Sequence, residues 1–141
     1  MQRSQIVKIM KKTLLIALLS ILSFQVMKAQ QAAGIKFDKI SHNFGSFSEK
    51  DATQQYTFIF TNTGEKPLVI NQVVPSCGCT VADYTKKPVM PGQKGEIKIT
   101  YKGQGRMPGH FKKTITVRSN GVPEMTRLYI EGDMTEDTSG R

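Results

Sequence analysis

Apolar side chains recur at every second position through most of this chain, in short runs broken by turn residues, and that period belongs to half-buried β-strands. In Q-Q-Y-T-F-I-F-T-N, residues 54–62, Tyr56, Phe58 and Phe60 fall on one face, with Thr57 and Thr61 on the other. G-E-I-K-I-T-Y-K, residues 95–102, repeats the pattern with Ile97, Ile99 and Tyr101. H-F-K-K-T-I-T-V-R-S, residues 110–119, carries it on Phe111, Ile115 and Val117, with Lys113 interrupting the apolar set near one end. Leu128 and Ile130 continue it in M-T-R-L-Y-I-E-G. The predicted core is therefore Phe58, Phe60, Ile97, Ile99, Ile115, Val117, Leu128 and Ile130.

The punctuation agrees with the period. T-G-E-K-P ends the strand that includes Phe58. The run from Leu68 to Val74 stops at Pro75, which cannot donate to a ladder and forces the residue before it to be extended. Asn120-Gly121 is a hairpin signal, because both residues tolerate positive φ. A weaker leading strand covers Ile35 to Ile40, with Asn43-Phe44 as a continuation. No stretch after residue 30 has a helical stripe. The expected fold is all-β: an immunoglobulin-like antiparallel β-sandwich of about seven strands.

Residues 10–30 read differently. M-K-K-T-L-L-I-A-L-L-S-I-L-S-F-Q-V-M-K-A-Q has a basic start, an apolar run from Leu14 to Val26 and a small residue at Ala29, the pattern of a secretory signal peptide. Thirteen apolar-run residues fall short of the roughly 20 that span a bilayer, so no membrane anchor is expected after cleavage. The expected organisation is a leader at 1–29, a sandwich at 30–133 and a polar tail at 134–141, with a periplasmic or secreted location. Five of the 20 basic residues and none of the 11 acidic ones lie in residues 1–30, which leaves 15 against 11, a net +4. Outside the leader, no basic run exceeds the pairs Lys86-Lys87 and Lys112-Lys113, so a nucleic-acid partner is not expected. A protein or other cell-envelope component is the expected partner.

Five stretches together carry a resemblance: I-K-F-D-K-I-S-H-N-F-G-S-F, F-I-F-T-N-T-G-E-K-P-L-V-I, P-S-C-G-C-T, M-P-G-Q-K-G-E-I and G-H-F-K-K-T-I-T-V-R-S-N. The sequence resembles a family of small secreted bacterial proteins catalogued as a domain of unknown function. That family is similar in turn to the immunoglobulin-like domains of major sperm protein and hydin, which are interaction modules. The resemblance implies the fold and an exported location and brings no catalytic residue with it.

Candidate chemistry is concentrated in P-S-C-G-C-T, residues 75–80, which holds the chain's two cysteines, Cys77 and Cys79. Three readings stand. The pair can clamp a turn, as a disulfide or as two half-buried thiols. It can cycle as a dithiol–disulfide redox couple. Its thiolates can bind Cu(I) or Zn(II), with Met90, Met107, His42 or His110 completing the site. As a fold staple the pair is weak, since closing a three-residue loop stabilises by only about 1.6 kcal/mol against about 3 kcal/mol for a 15-residue loop. Gly78 between the cysteines is expected to relax the bend.

Elsewhere the residues point to turns and solvent. G-Q-G-R-M-P-G, residues 103–109, lacks the following helix that a phosphate loop requires. The carboxylates are scattered, and neither His42 nor His110 has metal-ligand spacing around it. The sequence thus points to an exported, non-catalytic binding or structural module needing no cofactor. The alternative is a thiol-based redox or soft-metal protein acting through Cys77 and Cys79.

Overall fold

The computed structural model describes residue 3, residues 5–12 and residues 32–137. Residues 5–12 are helical and exposed. The apolar run of the expected leader and its cleavage position lie outside the described residues. Among the described residues no helix is long and apolar enough to cross a membrane.

From Ala32 onward the alternating segments form nine strands: β1 (Ala33–Phe37), β2 (Ser41–Ser48), β3 (Thr53–Asn62), β4 (Ile70–Pro75), β5 (Thr80–Tyr84), β6 (Lys94–Lys102), β7 (Gly109–Ser119), β8 (Gly121–Val122) and β9 (Met125–Thr135). One sheet has the order β5-β6-β3-β1-β8 and the other β2-β9-β7-β4. Neighbours pair antiparallel except β1 with β8 and β2 with β9, which are parallel. The leading segment expected as one strand changes sheets: β1 pairs with β3, the chain turns over Asp38–Ile40, and β2 joins β9. Counting β1 and β2 as one sheet-switching strand, and leaving out the two-residue β8, gives seven. This is the immunoglobulin-like sandwich that the alternation requires.

All eight expected core residues are at most 1 % exposed. They line the space between the sheets with Leu68, Ile70, Val89, Tyr101 and Phe111. The β3–β6 register sets Phe58 opposite Ile97, and the β7–β9 register sets Ile115 opposite Leu128, so each sheet carries matched apolar rows inward. Lys113 breaks the apolar row of β7 and is half-buried.

Three local expectations are corrected. The strand after T-G-E-K-P begins at Ile70 rather than Leu68: Leu68 makes an isolated bridge to Val89, and Val69 is held by Asn120. Asn120-Gly121 does not form a two-residue turn, and Gly121 has no positive φ. Instead residues 120–124 connect β7 to β9. Asn120 Oδ1 accepts from the Val69 N–H at 2.8 Å, and its Nδ2 donates to the Pro67 carbonyl at 3.1 Å. A Cβ at 121 would sit 2.7 Å from Leu68 Cδ1, so a larger residue there would displace that buried side chain. The strand order also runs past the expected boundary at 133. β9 continues to Thr135 with Met134 buried, and Asp137 pairs with Lys50 and donates its N–H to Glu49 Oε1 at 3.0 Å.

Candidate functional site

The P-S-C-G-C-T segment is the crossover from β4 in one sheet to β5 in the other. Both are edge strands on the same side of the sandwich, and Pro75 ends β4 opposite Ile115, where a missing N–H is tolerated. Cys77 and Cys79 are joined as a disulfide with their Cα atoms 5.2 Å apart. Cys79 is 4 % exposed and belongs to the core, while Cys77 packs against that core half-buried. Gly78 is exposed, takes no positive φ, and has open space where a Cβ would stand. The bend therefore does not draw on glycine's special conformations, contrary to expectation.

Main-chain hydrogen bonds fix the corner independently of sulfur. The Ser76 N–H donates to the Thr114 carbonyl at 2.8 Å, and the Thr114 N–H returns a bond to Ser76 Oγ at 3.2 Å. The Cys77 carbonyl accepts from the Thr80 N–H at 3.3 Å, and the Cys79 carbonyl from the Lys102 N–H at 2.7 Å. Thr80, itself buried, places its hydroxyl 3.6 Å from Cys77 Sγ and 3.8 Å from Cys79 Sγ. Neither disulfide sulfur carries a proton, so the hydroxyl is the donor.

The other candidate ligands do not gather there. His42 lies on β2, at the opposite edge of the sandwich, stacked on Tyr56 at 3.7 Å and edge-on to Phe44 at 4.8 Å. Burial, with a contribution from the Lys39 charge, lowers its pKa below the ordinary histidine value. His110 Nδ1 is 2.9 Å from Asp133 Oδ1 on the neighbouring strand. Met90 sits in the β5–β6 connection and Met107 in the β6–β7 connection, both exposed. Among the described residues, no three His, Cys, Asp or Glu side chains form a group that could hold a metal ion. The glycine-rich 103–109 segment is the turn expected: Gly105 and Gly109 take positive φ, and Arg106 N–H donates to the Gly103 carbonyl at 2.9 Å.

Sequence reasoning missed Asn62. It placed Asn62 last in the strand of residues 54–62, before the T-G-E-K-P break, and gave it no role, yet Asn62 is fully buried and each of its polar groups is used. Oδ1 accepts from the N–H of Gly34 at 3.2 Å and of Gly64 at 2.9 Å. Nδ2 donates to the carbonyls of Lys66 at 2.8 Å and Val89 at 2.9 Å. One side chain thus ties β1, the β3–β4 connection and the β5–β6 connection together. The available signal was an asparagine in phase with Phe58 and Phe60, which the alternation turns inward.

A two-sheet sandwich with a sheet-switching first strand and a cross-sheet β4–β5 corner is an immunoglobulin-like fold. Solved structures share it. A protein of unknown function from Porphyromonas gingivalis W83 superposes with a TM-score of 0.62 at 16 % identity, over 78 % of this chain and 50 % of that one. This chain thus spans about half of that relative's length. The ASH/PapD-like domain 7 of human CEP192 gives 0.56 at 12 % identity, over 79 % and 92 %. The periplasmic chaperone SfaE gives 0.51 at 12 % identity, over 74 % and 58 %. These likenesses carry the fold alone. Residues 35–134 match the family described as a protein of unknown function, DUF1573, and the chain belongs to that family. No curated protein matches it in sequence.

Proposed function

We propose that the chain is an exported, non-catalytic binding module that engages a protein of the cell envelope along an open sheet edge. The observation that carries this reading is the free side of β3. The Asn62 N–H donates to the Gln93 carbonyl and the Gly103 N–H to the Ala52 carbonyl, so even-numbered residues of β3 face β6 and odd-numbered ones face β1. β1 covers that side only from Ile59, which accepts from the Asp38 N–H, to Thr63, which donates to the Gly34 carbonyl. Over Thr53–Thr57 no described strand follows, and the outward-facing main chain of Gln55 and Thr57 can take an added strand.

The opposite side of the sandwich is less open. On β4, Pro75 has no N–H to offer; on β5, the Thr80 N–H is taken by the Cys77 carbonyl and the Tyr84 N–H by Asp83 Oδ1 at 2.9 Å. The signal-peptide pattern supports export, and the chaperone description of one fold neighbour is in keeping with a protein partner. Two measurements test the reading. Intact mass of the protein recovered outside the cytoplasm should begin at Gln30, and retention of residues 1–29 would remove the export claim. Gln55→Pro deletes one edge donor without touching the core. Envelope proteins held by the wild type should be lost by this variant at unchanged thermal stability; retention of the same set would show that the edge is not the contact.

A further inference from the structure

Beyond binding, the geometry points to a second activity: we propose that Cys77–Cys79 is a thiol–disulfide exchange couple that accepts two electrons from a dithiol. Three observations carry it, and none depends on the β3 edge. The bond closes only a three-residue loop, so its formation gains little from restricting the unfolded chain. The corner is held by its own hydrogen bonds through Ser76, Thr114, Thr80 and Lys102, so the sulfurs can part and rejoin without unfolding the strands on either side. The two sulfurs are also unlike. Cys77 is half-buried on the exposed crossover and Cys79 is in the core, which directs an incoming nucleophile to Cys77 Sγ.

A donor thiolate attacks Cys77 Sγ, forming a mixed disulfide as the Sγ–Sγ bond breaks, and the electron pair leaves on Cys79 Sγ. The Thr80 hydroxyl, within 3.8 Å of that sulfur, donates to the leaving thiolate, which then takes a proton from water. The donor's second thiolate attacks its own sulfur in the mixed disulfide and releases Cys77 as a thiolate. The donor leaves oxidised, and both cysteines leave reduced.

The test uses residues 30–141 equilibrated in buffers of varying reduced-to-oxidised glutathione ratio, with the thiols counted by alkylation and mass. Both redox forms should coexist across those ratios while circular dichroism stays that of the native fold. Cys79→Ser, which keeps Cys77, should form a mixed disulfide with oxidised glutathione at least tenfold faster than Cys77→Ser, which keeps the buried sulfur. A pair that stays oxidised at every ratio, or that reduces only as the fold is lost, overturns the proposal. Equal rates for the two variants overturn the assignment of Cys77 as the attacked sulfur.

Discussion

Two corners of the sandwich are fastened by opposite means. At one, the uncharged side chain of Asn62 makes four hydrogen bonds and reaches partners up to 28 residues away in sequence. At the other, a covalent bond joins residues two apart in sequence. The covalent fastener is the weaker one. What a link contributes depends on how much chain it restrains and what is left unsatisfied when it goes. Cutting the disulfide frees a three-residue loop already held by hydrogen bonds on both flanks. Deleting the Asn62 carboxamide strands the N–H of Gly34 and Gly64 and removes a partner from the carbonyls of Lys66 and Val89. A bond that contributes little to stability is free to serve chemistry, and a buried hydrogen-bonding hub is not.

The comparison breaks first at Asn62. Asn62→Ala should cost about 4 kcal/mol, roughly 1 kcal/mol for each hydrogen bond lost, read as a lower urea midpoint at unchanged slope. A cost near zero would mean that the hub is replaceable by water. Next comes Gly64 beside it: a Cβ there would lie 2.2 Å from the Ala32 carbonyl oxygen, and backbone cannot yield as a flexible side chain can. Gly64→Ala should cost about 2 to 3 kcal/mol, whereas Gly78→Ala, with open space around the new methyl, should stay within about 0.5 kcal/mol. Equal effects at the two glycines would erase the distinction between a packed corner and a solvated one.

Thr80→Val removes the hydroxyl beside the sulfurs while keeping shape and burial. It should slow reduction of the disulfide by glutathione several-fold, with a stability change within about 1 kcal/mol. An unchanged rate would leave Thr80 as packing only. The smallest effect is expected from pH at the edge where His42 stacks on Tyr56. Its folded-state pKa lies below the unfolded value, chiefly from burial and secondly from Lys39, so in the window between the two values the unfolded chain binds more protons. Stability should therefore fall as pH drops from 7.5 through the ordinary histidine range, and His42→Gln should flatten that slope.

The fold was legible because period-two alternation alone turns eight residues inward, and burial agrees at all eight. The hub was not legible, because an asparagine before Thr-Gly satisfies local turn chemistry equally well. Its real partners, Gly34 and Val89, lie 28 and 27 residues away and are brought near only by pairing of β1 and β6 with β3. Asn120 escaped for the same reason: its partners are 51 and 53 residues distant. At the cysteine corner, the spacing announced a short loop, but Cys79 precedes β5 and is buried out of phase with its inward residues Thr80, Ala82 and Tyr84, so no alternation marks which sulfur is buried. Lys113 was visible as a break in an apolar row, and it is half-buried on β7 opposite Ile130.

The central claim, that the covalent corner is not what holds this domain together, is tested most directly by unfolding residues 30–141 in urea with the disulfide intact and again after full reduction under nitrogen. Reduction should leave a cooperative transition with stability lowered by no more than about 1.6 kcal/mol, well under the loss in Asn62→Ala. A reduced protein that is unfolded without urea, or that loses as much stability as the Asn62 variant, would contradict the account.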